Sequence, residues 1–132
     1  MTHIGKDLVA ASATPLVLAI LAEEEAHGYA ILKRVSDLSG GALQWTDGML
    51  YPVLHRLERQ GYIRGSWGVS EAGRRRKVYR LTPEGATQLA EQRTQWEVVD
   101  DALRRVWQSM ALPDVGPTLA LVGPTLALQG AR

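Results

Sequence analysis

The chain has no cysteine, which removes disulfide frameworks, thiolate zinc sites and thiol nucleophiles together and is compatible with a reducing cytoplasm. Histidine is nearly as scarce: His3, His27 and His55 are the only three, and their spacing matches no metal-ligand pattern, so no metal site is expected. The acidic run Glu23 to Glu25 reads as a solvated helix end. A phosphate-cradling glycine-rich loop, a Gly-x-Ser-x-Gly turn and a His-Glu-x-x-His helix are all missing. Neither an enzyme nor a bound cofactor is therefore expected. No apolar run reaches the roughly 18 residues of a membrane span. The nearest, Leu16 to Ala22, also fails as a signal peptide, because Asp7 lies in the would-be basic region and the glutamates replace a small-residue cleavage site. The expectation is a cytoplasmic protein with no membrane partner.

What remains is a chain of 132 residues, 45% hydrophobic and 22% charged, enough for one compact domain with a core. Its elements can be read from caps and periodicity. Thr14-Pro15 reads as an N-cap followed by proline in the first turn, opening an almost wholly apolar helix through Leu16 and Ile20. His27-Gly28 breaks the chain, with His27 capping or packing at the next helix start, and Tyr29, Ile31, Leu32, Val35 and Leu38 share one side of that helix up to Ser39-Gly40-Gly41. Thr46 and Asp47 cap a third helix, whose regular part is expected near Met49 so that Pro52 falls in the first turn. Leu50, Leu54 and Leu57 form its inner stripe; Tyr51, His55 and Arg59 lie opposite, and Gly61 stops it. Two strand-like segments follow, Tyr62 to Trp67 and Arg76 to Leu81, joined by a hairpin loop.

Thr82-Pro83-Glu84 repeats the cap-then-proline signal and starts the longest helix, expected to run to about Leu112 before Pro113. Leu89, Trp96, Leu103 and Met110 recur every seven residues, with Gln92, Val99 and Val106 three residues after the first three, which is coiled-coil spacing. Roughly 30 residues at 1.5 Å rise span about 45 Å, more than one small domain covers. A second subunit is the expected partner, met by Leu16, Ile20, Leu89, Trp96, Val99, Leu103, Val106 and Met110. Residues 1–82 then form one functional region and 83–112 a dimerisation helix. In 113–132 the heptapeptide Val-Gly-Pro-Thr-Leu-Ala-Leu occurs twice in tandem, from Val115 and from Val122; two copies interrupted by Gly-Pro fall short of a solenoid.

The formal charge of +1 conceals an uneven distribution. Residues 1–53 carry net −3 and residues 81–132 net −2, while residues 54–80 carry net +6. The eight cations of that middle segment are Arg56, Arg59, Arg64, Arg74, Arg75, Arg76, Lys77 and Arg80. Seven are arginine, whose planar fork suits phosphate and guanine edges. A basic helix followed by a basic hairpin fits duplex DNA, with the helix in the major groove and the loop on the flanking backbone or minor groove. The order helix, helix, helix, strand, strand, helix is that of a winged helix-turn-helix. The expected fold is thus mainly α with a small β-hairpin wing and a long C-terminal dimerisation helix.

Three linked stretches also resemble one family. They are His27-Gly28-Tyr29-Ala30-Ile31; Gly48-Met49-Leu50-Tyr51-Pro52 with Leu54, Arg56-Leu57-Glu58 and Gly61-Tyr62-Ile63; and Gly73-Arg74-Arg75-Arg76-Lys77-Val78-Tyr79-Arg80-Leu81-Thr82-Pro83-Glu84-Gly85. In this order they resemble the PadR-like transcriptional regulators over roughly residues 8–110. The resemblance implies a homodimer built from the first and last helices, double-stranded DNA bound by the third helix and the wing, and repression relieved by a small molecule. It assigns a phosphate contact to Tyr51 and the wing tip to Lys77 with its arginine neighbours. Thr46, His55, Arg56, Arg59 and Arg64 complete the expected DNA-binding set. Two positions depart from the family pattern: Met49 replaces a small hydroxyl residue, and Val78 replaces an aromatic.

Short members of that family that respond to drugs place an aromatic residue of the last helix in a cavity between subunits, and Trp96 falls at the matching position. A flat aromatic effector held by Trp96, Val99 and Asp100 at the two-fold seam is the corresponding expectation. A second class of function also fits the elements: a winged-helix module that recruits a protein through its long helix and apolar tail. The arginines on groove-facing elements favour DNA, since protein docking has no need of four cations, Arg74 to Lys77, in the hairpin.

Overall fold

A computed structural model describes residues 2–110. The elements run α1 (Lys6–Glu23), β1 (Ala26–His27), α2 (Gly28–Leu38), α3 (Asp47–Arg59), β2 (Ile63–Val69), β3 (Arg75–Leu81) and α4 (Pro83–Ser109). The tandem repeat and the rest of the expected tail lie outside the described residues.

Helix α1 starts well before the expected Thr14-Pro15 cap, at Gly5, and carries Pro15 inside it. The proline has no N–H to give the carbonyl four residues back, and burial of Ala13, Val17, Leu18, Ile20 and Leu21 on the helix offsets that loss. Thr14 Oγ1, freed from capping, accepts a hydrogen bond of 2.9 Å from Arg56 Nη2 on α3. At the other end of α1, Glu23 takes both Nε and Nη2 of Arg34, at 2.9 and 2.7 Å, tying α1 to α2.

Helix α3 likewise begins two residues ahead of Met49, with the Thr46 hydroxyl accepting from the Met49 N–H at 3.3 Å. Pro52 therefore sits in the second turn, tolerated because Leu50, Leu54 and Leu57 on the inner face are completely buried. Gly61 ends the helix at φ +82°, a left-handed conformation that favours glycine. The hairpin closes more tightly than expected, between Ser70 and Arg74, and both strands lengthen accordingly.

β3 is the central strand of a three-stranded antiparallel sheet ordered β1-β3-β2. The unexpected member is β1, two residues that pair Ala26 with Tyr79 and His27 with Val78. A segment that short shows no alternation to read from sequence. The core gathers Val17, Leu18, Ile31, Val35, Leu50, Leu54, Leu57, Ile63 and Tyr79 between the three helices and the sheet.

The chain divides into two compact units, one ending at Arg93 and the other beginning at Thr94. The first turns of α4 belong with the winged unit because Gly85 is buried in it and Leu89 packs on its core. Thr82 Oγ1 caps α4 by accepting from the Gly85 N–H at 3.0 Å and donates to the Gly61 carbonyl at 2.6 Å. In the second unit α4 is described to Ser109, and the end expected near Leu112 lies outside the described residues.

Candidate nucleic-acid interface

The exposed face of α3 carries Tyr51, His55 and Arg59 at helical spacing. Tyr51 and His55 lie one turn apart, their rings 6.4 Å between centroids. Across from them stands the wing. Between α3 and the wing opens a groove of about 580 Å³, lined by His27, Gly28, Tyr29, Tyr51, His55, Trp67, Arg74, Arg75, Arg76, Lys77 and Tyr79.

The β1–β3 pairing creates one wall of that groove. By placing His27 opposite Val78 it brings the start of α2 against the wing. Gly28 at this start is buried, and a Cβ there would come within 2.6 Å of the Tyr51 hydroxyl. The glycine thus makes room for the tyrosine side chain. His27 caps α2, its Nδ1 accepting from the Ala30 N–H at 3.3 Å. Burial, and then the positive charge of Arg76, push its pKa down, so the neutral imidazole is the favoured form. On the wing, the Arg75 guanidinium lies 4.7 Å over the Trp67 ring. The Tyr79 hydroxyl has its pKa raised, by burial first and then by Glu58 and Tyr51.

Of the ten residues expected to meet DNA, the groove unites six: Tyr51, His55, Arg74, Arg75, Arg76 and Lys77. Arg59 and Arg64 are exposed but lie outside its lining. Thr46 is engaged as the cap of α3, and Arg56 is turned toward α1, bonded to Thr14. Lys77 is half-buried and paired with Glu58 at 3.1 Å. Burial pulls the Glu58 carboxyl upward, but the Lys77 hydrogen bond, the Gly65 N–H and the charges of Lys77 and His55 outweigh it, and the pKa is lowered. Sequence reading missed Tyr29 and Trp67 as groove residues, although they are 71% and 62% exposed. An aromatic residue left in water on a small domain is a signal that only burial data reveal.

In the second unit, Val99, Leu103, Val106 and Met110 of the heptad stripe are all exposed, as are Val98 and Trp107 beside it, while Trp96 is half-buried. Asp100 is held by Arg104 Nε at 2.8 Å on the same helix. Of the remaining residues expected at a subunit interface, Ile20 is already buried by its own chain and Leu16 is half-exposed. Among the described residues, no helix is long and apolar enough to cross a membrane, and no group of three or more histidine and carboxylate side chains could hold a metal ion.

Three helices, a three-stranded sheet whose β2–β3 hairpin is the wing, and a cationic groove between α3 and that wing define a winged helix-turn-helix of the kind used by DNA-binding regulators. Residues 17–91 match the model of the transcriptional regulator PadR-like family. The chain belongs to that family, whose members are non-enzymatic DNA-binding proteins that regulate transcription. It is 30% identical over 89 residues to the transcriptional regulator YqjI of Escherichia coli, covering 67% of this chain and 41% of that one. A transcriptional regulator of Mycobacterium tuberculosis is 40% identical over 72 residues, 54% of this chain and 64% of the relative. The chain thus spans less than two thirds of either relative. Among solved structures, a PadR-like transcriptional regulator from Bacillus cereus superimposes with a TM-score of 0.69 at 25% identity, covering 78% of this chain and 98% of that one.

Proposed function

We propose that the protein is a cytoplasmic, homodimeric and sequence-specific repressor of transcription. The observation that carries this reading is the convergence of Tyr51 and His55 on α3 with Arg74, Arg75 and Arg76 on the wing around one groove. Arginine forks and a tyrosine hydroxyl satisfy phosphate oxygens, and exposed α3 side chains can read base edges. Residues 1–82 carry the DNA contacts, with Tyr51, His55, Arg59, Arg64 and the wing arginines on the duplex. Residues 83–112 carry the dimer seam: Leu103, Val106 and Met110 are apolar, exposed and at heptad spacing, and a second copy covers them at the least cost.

Release from DNA follows when a flat, apolar ligand enters between the two copies of Trp96, flanked by Val99 and Asp100. Titration of planar dyes against tryptophan fluorescence tests this part: quenching that disappears in Trp96→Ala supports it, and no quenching in the wild type overturns it. The whole reading is tested by sedimentation and by footprinting on duplex selected from a randomised pool. A dimer protecting a two-fold symmetric site is expected; a monomer, or protection with no preferred sequence, would contradict it.

A further inference from the structure

Glu58 is a carboxylate in the most basic stretch of the chain, where only Glu58 and Glu71 oppose eight cations. On a surface that meets phosphate, a negative charge lowers affinity unless it serves something else. Both oxygens of Glu58 are committed to the wing. Oε1 accepts from Lys77 Nζ on β3 at 3.1 Å, and Oε2 accepts from the Gly65 N–H on β2 at 3.2 Å. Gly65 belongs to the same device: a Cβ there would collide with Lys77 Cε and lie 3.1 Å from the Tyr79 ring, so the missing side chain is the slot through which Lys77 reaches Glu58. The two charged side chains are 27% and 30% exposed, sheltered enough for a charge-assisted bond to hold its geometry.

We propose that Glu58 is a positioning residue for DNA binding, which sets the angle between α3 and the wing by holding the Lys77 ammonium and the Gly65 amide. Lys77 is the other half of the strut and not a phosphate ligand. The recognition helix and the tip from Arg74 to Arg76 are thereby offered to the duplex as one rigid surface. The inference rests on the DNA-binding reading above and adds a residue to it that carries the wrong charge for direct contact.

That wrong charge makes the test sharp. Simple electrostatics says that Glu58→Gln removes a repulsive charge, frees a lysine and tightens binding. Positioning says the reverse. Binding is measured by anisotropy on a duplex selected by the wild-type protein, across a salt series. Glu58→Gln is expected to bind about three- to ten-fold more weakly at every salt concentration. Lys77→Met is expected to lose a similar amount with the salt slope unchanged, whereas Arg75→Ala lowers the slope by about 1. The double variant is expected to be no worse than either single one, because the pair acts as a unit. Gly65 amide exchange, read by nuclear magnetic resonance, is expected to quicken in Glu58→Gln while the far-ultraviolet spectrum stays native. Unchanged or tighter binding by Glu58→Gln, or a slope lowered by about 1 in Lys77→Met, overturns the inference while leaving the DNA-binding reading intact. A wild-type protein with no salt-dependent binding overturns both. Should Glu58→Gln fail to fold, the Lys77→Met slope decides alone.

Discussion

The hydroxyl of Tyr51 lies over Gly28, so close that a Cβ on residue 28 would stand 2.6 Å from it. The recognition helix and the start of α2 are therefore fitted to each other at the edge of the cationic groove, and the tyrosine's place depends on a residue with no side chain. Gly28→Ala is expected to displace the ring while costing the helix itself nothing, since alanine is the better helix former. DNA affinity should fall roughly fivefold, a hydrogen bond's worth, and Tyr51→Phe should fall by a similar factor on every sequence. Full affinity in Gly28→Ala, measured by anisotropy, would place Tyr51 outside the contact.

Base preference should separate from overall affinity along α3. Substituting His55 or Arg59 with alanine is expected to change which duplexes a randomised pool yields, with about 1–3 kcal/mol lost at the position read. Arg74→Ala and Arg76→Ala should weaken all sequences alike and each lower the salt slope by about 1. Uniform losses from both sets would mean that α3 is turned differently in the groove.

Acid should weaken the fold through His27. Its Nδ1 can accept the Ala30 N–H only while unprotonated, and burial, then Arg76, depress its pKa in the folded chain. The unfolded chain takes up this proton near pH 6.5 and the folded chain only at lower pH. The stability that this group contributes is thus fully present above about pH 6.5 and is lost as the pH falls through the folded pKa. The melting temperature should decline as the pH falls below about 6.5, and His27→Asn, which keeps a capping acceptor, should flatten the decline. Glu58, whose pKa is also depressed, acts in a separate window below about pH 4.5. An equal decline in wild type and variant below about pH 6.5 would remove His27 from the account.

The proposed dimer seam predicts a change of mass. Leu103 and Val106 are 43% and 51% exposed in the single chain, and Leu103→Glu with Val106→Glu should turn a sedimenting dimer into a monomer. Two half-sites would then be bound independently, and affinity for a two-fold site should collapse. An unaltered sedimentation coefficient would locate the contact elsewhere.

Much of this was legible from residue spacing. The inner stripe of α3, the Thr46 and Thr82 caps and the Gly61 stop all follow from local pattern, and the structure bears them out. Spacing could not reveal which distant residue lies opposite. Thr14 and Arg56 are 42 positions apart, yet their bond turns a presumed helix cap and a presumed DNA contact into partners of each other. Pro15 was misleading for the same reason: a proline after threonine signals a helix start locally, while tertiary burial carried α1 through it. β1 offered no pattern at all, and without it the wall formed by His27 and Tyr29 is invisible.

The central claim is that this groove grips the phosphate backbone of duplex DNA. The most direct measurement is the affinity for selected duplex as salt is raised from about 50 to about 200 mM. With 6–10 phosphates contacted per dimer, the account predicts a straight log–log fall amounting to roughly 10³- to 10⁵-fold. An affinity that stays level across that range would contradict it.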